Sequence, residues 1–422
     1  LYTVTPIASD NITFDPDTPQ SVEEMTDCRV RVHAQAGYTI ALLIVDGVGV
    51  TPAGSMDTEY VFRSVTSDHT IAAKAELASN MYFEAQEDNT MVYIEERNYP
   101  EYHLQYSVDG TTFRDFYKST RVFLNKGGRV WFKGTYTRVN AMNYYSFRSD
   151  KPVYCNGSVM SIAYSQNDSI ERPYQFYKLF EGMTTLLSAP GLPAVKLQPY
   201  CYAYMFSGCI NLRETPDVKS DYIDSHACCG MFHNCKGVKY SYRALKNVED
   251  YAYCNCYNGC ASLEKAGSLI VNSMGSYACD AMYANCGSLE EPPELNTPVL
   301  SPYCFYSMFS SSMLLKAPET PVKTLVEGCY SNMFSYTYLT ESPLLPAQSL
   351  QKNSCREMFT GCYILNKITC LATDVPSGTT TSWVDGVSDS GLFLKSPAMV
   401  KWDTGVNGVP ENWTVEDYKE NE

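Results

Sequence analysis

The chain has 422 residues, a formal net charge of −15 and 45% hydrophobic residues. That length leaves room for several domains with buried cores, and that charge argues against nucleic acid or an anionic membrane surface as a partner. The longest apolar run, around Tyr38 to Val45, is far too short to span a bilayer.

In chain order, residues 1–76 read as a small β module. CRVRVHAQAGYTIALLIVDGVGV at 28–50 alternates and then runs apolar, which predicts two strands around Gly37; YVFRSVTSDHTIAAKAE at 60–76 adds further strands. The string GYTI–VDGVGV–YVF–VTSDHTIAA resembles a bacterial surface β-repeat, which implies a spacer of antiparallel strands. Residues 77–150 read as a second, sandwich-like module. LQYSVDGTTFRDF at 104–116 predicts a hairpin with Asp109 and Gly110 at its turn, and RVFLNKGGRVWFKG at 121–134 another with Gly127 and Gly128 at its turn. Residues 151–173, with NGSVMSIAY at 156–164, are expected to supply a cap strand at the N-terminal end of a repeat array.

From Tyr174 to Leu371 the sequence repeats itself. Aligned on one aromatic, the copies fall at Phe180, Phe206, Phe232, Tyr257, Tyr283, Phe309, Phe334 and Phe359, with steps of 26, 26, 25, 26, 26, 25 and 25. A Leu or Val follows six residues later at Leu186, Leu212, Val238, Leu263, Leu289, Leu315 and Leu365, and at five for Leu339. One such unit cannot bury its own apolar side, but stacked units can, so the period predicts a solenoid of about eight coils over residues 151–372. Residues 373–422, with WDTGVNGVPENWTV at 402–415, read as a C-terminal β cap with a short hairpin that covers the last coil. The 17 cysteines follow the period too. Cys209, Cys235, Cys260, Cys286 and Cys362 stand three after the aromatic; Cys201, Cys304 and Cys329 stand four before the Met, and Cys228, Cys279 and Cys355 three before. Such columns predict mostly reduced thiols packed in a core rather than a disulfide framework.

The pattern MFxGCxxLxxxPxLPAxxLxxxCY, best matched at 179–212 and 333–365, resembles the BspA-like leucine-rich repeats of gut Bacteroidota and their phages. The resemblance covers about half of the chain, and the preceding β module and the W–G–GVP–WTV ending are similar to segments of the same family. It implies a right-handed leucine-rich-repeat solenoid and a surface-displayed role in adhesion, and it names no ligand. KGVKYSYRALKNVEDYAY at 236–253 departs from it by lacking the Pro-Leu-Pro-Ala segment.

His226, Cys228, Cys229, His233 and Cys235, followed by Cys254, Cys256 and Cys260, have zinc-like spacing. Cys235 and Cys260 nevertheless belong to a repeat column whose other members lack His, so packing is the expected role and no metal is predicted, with structural zinc or a chance disulfide as the lesser alternatives. Glu290 and Glu291 occupy a position that is polar in most coils, which reads as a solvated ladder rather than a catalytic pair. With neither a nucleophile elbow nor a phosphate loop, no enzyme activity and no cofactor are expected. In the divergent coil the residues after Val238 are Lys239, Tyr240, Ser241, Tyr242 and Arg243. Alternation puts Tyr240 and Tyr242 on one face and the other three on the opposite one. Turned inward, the two rings fill space left by the missing segment, which is the plainer expectation; turned outward, they make a binding platform. The expected function is non-enzymatic recognition or adhesion at a bacterial cell surface, or as a phage fibre or decoration protein, with a host surface glycan or protein as partner. A structural capsid or tail component, or a glycan-capture accessory of an enzyme system, is the alternative. Neither nucleic acid nor membrane insertion is expected, and homo-oligomerisation stays open. No secretion leader is visible, which says little for a sequence that opens on Leu1.

Overall fold

A computed structural model describes the chain apart from residues 35–37, 51–56, 78–79, 99, 139, 164–168, 242–246, 321 and 421–422, and apart from the side chains of 38–39, 57, 76–77 and 136–138. The fold is mainly β: among the described residues the helical element is the short 3₁₀ turn Val159–Ile162, and no helix is long and apolar enough to cross a membrane.

The first module packs two sheets. One holds Gln20–Val22, Tyr2–Pro6, His69–Leu77, Tyr38–Val45 and Val48–Val50 in that spatial order; the other holds Ile12–Asp15, Cys28–Ala34 and Asp57–Phe62. The alternation along Cys28–Ala34 buries Val30 and Val32 against a core that includes Val4, Ile40 and Ile71. The two strands around Gly37 join different sheets, and Gly37 itself lies outside the described residues. Asp46 and Gly47 take left-handed φ of 52° and 78° at the turn into Val48–Val50. The Asp46 carboxylate accepts the Thr70 N–H and meets His69 Nδ1, both at 2.7 Å, and the Thr70 bond holds its pKa below the ordinary value.

The second module is a sandwich. Its larger sheet runs Arg114–Phe116, Glu101–Ser107, Arg129–Arg138, Met81–Ala85, Val153–Asn156 and Leu186–Ser188; its smaller one runs Val122–Leu124, Thr90–Arg97 and Tyr144–Ser149. Phe83, Phe132 and Phe147 from the two sheets meet with ring centres 4.9–5.9 Å apart. The hairpin over 104–116 forms as expected, with the Asp109 carboxylate accepting the N–H groups of Thr111 and Thr112. The expected hairpin over 121–134 does not. Val122–Leu124 pairs with Thr90–Arg97 in one sheet, while Arg129–Arg138 joins the other. The Gly127–Gly128 turn exchanges backbone bonds with Ala85, so it carries the chain across the sandwich instead of folding it back.

Val153–Asn156 joins the sandwich to the repeats. It pairs antiparallel with Met81–Ala85 and parallel with Leu186–Ser188. Parallel pairing then continues to Leu392–Lys395 against Thr414–Asp417, and residues 222–417 of this β-solenoid make about eight turns. One hydrophobic core runs without a break from Met81 to Trp413. The C-terminal hairpin expected from the sequence is instead this parallel pair, which prolongs the stack. Trp383 closes the core: it stacks on Trp402 and donates its indole N–H to the Gly408 carbonyl at 2.7 Å.

Each coil carries a run of consecutive turns with three left-handed residues spaced four apart, such as Tyr174, Lys178 and Gly182, or Tyr251, Asn255 and Gly259. Along this run alternate N–H groups split their work. Phe176, Lys178 and Phe180 donate to the next coil; Tyr177, Leu179 and Glu181 donate three residues back within their own. The backbone is thus satisfied without long strands. The repeat aromatics, all fully buried, form an inward ladder from Phe180 to Phe359 with centres 5.3–6.0 Å apart and planes within 17°.

The column cysteines do more than fill space. Cys209, Cys235, Cys260, Cys286 and Cys362 each donate Sγ–H to the carbonyl of the ladder aromatic one coil earlier, at 3.0–3.3 Å. In the two coils where Ser312 and Thr337 stand there, the hydroxyl bonds its own coil's aromatic carbonyl at 2.7–2.8 Å, and the coil is one residue tighter. The column leucine of the Phe309 coil is therefore Leu314, fully buried; Leu315, expected there from the spacing, faces solvent.

Candidate recognition surface

The left-handed residues point outward. At the first of the three positions stand Tyr174, Tyr200, His226, Tyr251, Tyr277 and Tyr303, half-buried and stacked with centres 4.4–4.9 Å apart and planes within 20°. Burial holds the His226 imidazole below its ordinary pKa, which favours the neutral ring in this stack. The ladder stops at Gly328, where a Cβ would come within 2.2 Å of the Tyr303 ring. Ring faces here are covered by neighbouring rings, so the row shows solvent its edges and is a clasp between coils rather than a set of open plates.

Open aromatic surface lies elsewhere. Four residues after the inward aromatic, the coils carry Ile210, Lys236, Ala261, Gly287, Met313, Tyr338 and Tyr363 in turn, all reaching solvent. Toward the C-terminal coils this column turns apolar and then aromatic, with Tyr338 51% and Tyr363 71% exposed. Leu315, Tyr336 and Ile364 are exposed beside it. Tyr336 lies over Gly361, where a Cβ would meet its ring at 2.4 Å. Large exposed aromatics gathered on neighbouring coils are what a contact surface requires.

Tyr240 faces outward, 56% exposed, against the plainer expectation that it fills the interior; Tyr242 lies outside the described residues. The reason is register. Tyr240 bridges Lys265, which bridges Glu291, so it sits in the polar ladder that follows the column leucine. Lys239, expected on the opposite face, is outward too and pairs with Glu264 at 2.7 Å. Ser241 turns inward, accepting the Gly267 N–H at 2.7 Å. Glu291 pairs with Lys316 at 3.5 Å, in keeping with a solvated ladder.

The zinc-like constellation is parted by the same alternation of inward and outward residues. Cys228 and Cys235 are in the core; Cys229 forms a disulfide with Cys254 of the next coil, beneath the outward Tyr ladder. The other cysteines are reduced and buried. Among the described residues no group of three or more His, Cys, Asp and Glu is placed to hold a metal ion. The Cys229–Cys254 bond is one of the lesser alternatives for this constellation, and the sequence does not single out its two partners; nor does it reveal the left-handed triplets. Tyr, Lys, Ala and Glu fill many of the left-handed positions, so the usual glycine signal is diluted.

No family model matches this chain, and no curated protein or solved structure matches it either.

Proposed function

We propose that the chain is a surface-displayed recognition protein built on BspA-like leucine-rich repeats, acting in adhesion at a bacterial cell surface or on a phage virion and taking a host surface glycan or protein as its target. The observation that carries this reading is the division of labour in the coils. Inward residues make a ladder that holds the stack, while Tyr240, Tyr338 and Tyr363 hold large rings out to solvent where stacking does not need them. Rigid aromatics bring contact area at low entropic cost. The spacer-like first module, with its own core, suits a protein that presents its repeats away from an attachment point.

Fractionation of the native protein tests the setting. Recovery with virions or with the outer membrane supports display; recovery with neither overturns it. A structural component without a ligand is the competing reading, and it is distinguished by the outward tyrosines, whose replacement it expects to leave attachment to host cells unchanged.

A further inference from the structure

The sandwich and the first coil enclose a second concave surface, apart from the outward tyrosines and independent of the adhesion they are proposed to serve. It is a cleft of about 490 Å³. Its floor is the outer face of Thr90–Arg97, where alternation turns Tyr93, Glu95 and Arg97 to one side. Across the ladder these face Arg148, Ser146 and Tyr144. The Arg121 guanidinium lies 4.7 Å over the Tyr93 ring and is anchored by the carbonyls of Lys118 and Thr120.

The charges divide into two kinds. Glu95 is held by Arg148 at 2.8 Å, Glu96 by Lys118 at 3.5 Å and by the Tyr102 hydroxyl, and Glu181 by Lys178 at 2.8 Å. Arg97 and Arg121, in contrast, have no carboxylate partner among the described residues, and both are exposed. They mark opposite ends of the strip, since four residues of strand separate Tyr93 from Arg97, about 14 Å. In a chain of net charge −15, two uncompensated guanidiniums facing one cleft are an anion-binding feature.

We propose that this cleft binds an acidic oligosaccharide, with Arg97 and Arg121 each taking a carboxylate of the sugar. The paired glutamates decide between anions. With their charge offset by Arg148, Lys118 and Lys178, their remaining oxygen lone pairs accept hydrogen bonds from sugar hydroxyls that a nucleic acid or a polyglutamate does not offer in the same number. Tyr93 and Tyr144 add apolar contact for ring C–H groups. Every group the cleft presents thus has a counterpart on a sugar that carries isolated carboxylates.

Titration calorimetry with the full chain tests this, using oligogalacturonates of graded length, a sialylated trisaccharide, a neutral cello-oligosaccharide and a polyglutamate peptide as probes. At least one acidic sugar is expected to bind about tenfold more tightly than the neutral one, more weakly as salt rises, with Arg97→Ala and Arg121→Ala each costing roughly tenfold or more. Arg97 is exposed and makes no ion pair among the described residues, so Arg97→Ala should melt with the parent, while Arg121→Ala gives up two backbone bonds and a ring contact and should melt slightly lower. Failure of both acidic sugars to bind, equal binding of the neutral sugar or of polyglutamate, or affinity unchanged in both variants overturns the proposal. None of these results bears on the outward tyrosines, because Tyr240, Tyr338 and Tyr363 are intact in every protein tested.

Discussion

Tyr202 places its phenol in the fully buried stack above Phe176, and among the described residues its hydroxyl has no hydrogen-bond partner. Burial pushes its pKa well above the ordinary value, so the group stays neutral. A buried hydroxyl without a partner costs about 1–3 kcal/mol relative to an apolar group of the same shape. Phe already stands at the equivalent place in other coils, as Phe176 and Phe305. Tyr202→Phe should therefore raise the melting temperature; a clear fall would show that the hydroxyl is satisfied after all. Asp280 gives a second residue-level test. Burial beside the outward ladder raises its carboxyl to about 6 from an ordinary 3.8. The folded chain holds this proton over a pH range where the unfolded chain has lost it, so stability declines as pH rises from about 4 to about 6. Asp280→Asn should melt with the parent near pH 4 and above it at pH 7, measured by calorimetry at both. A gap that does not widen with pH would remove the assignment.

At the scale of the element, the coil is held by its ladder rung, its thiol or hydroxyl bridge and its column leucine. Phe309→Ala should cost roughly 3–5 kcal/mol, the range for a truncated buried aromatic. Because coils touch mainly their neighbours, hydrogen exchange should rise around residues 283–334 and stay unchanged in 1–76, which has a separate core. Faster exchange in 1–76 would contradict that separation. The period was legible from the sequence because each ladder rung must recur in register to stack. In the Phe309 coil the spacing points one residue too far, to Leu315 instead of Leu314, because Ser312 closes its own turn where cysteine reaches back a coil, and side-chain spacing alone does not reveal which carbonyl is bonded. The failed hairpin at Gly127–Gly128 has the same origin. The turn residues were right, but the pairing partner, Ala85, is remote in sequence.

For the whole molecule, the decisive strand is Val153–Asn156, which belongs to the sandwich and the solenoid at once and merges their cores. The surface was less legible than the core. Tyr240 stood out by breaking the repeat, but Tyr338 and Tyr363 look in sequence like any other repeat tyrosine, and the arginines of the cleft converge from separate strands and loops. The central claim is that inward residues carry the stack and outward ones carry recognition. The most direct measurement compares adhesion to host cells with thermal melting in a triple variant, Tyr240→Ser, Tyr338→Ser and Tyr363→Ser together. All three side chains are more than half exposed, so melting should scarcely move while adhesion drops at least several-fold. Unchanged adhesion, or adhesion lost in step with a large fall in melting temperature, would contradict it.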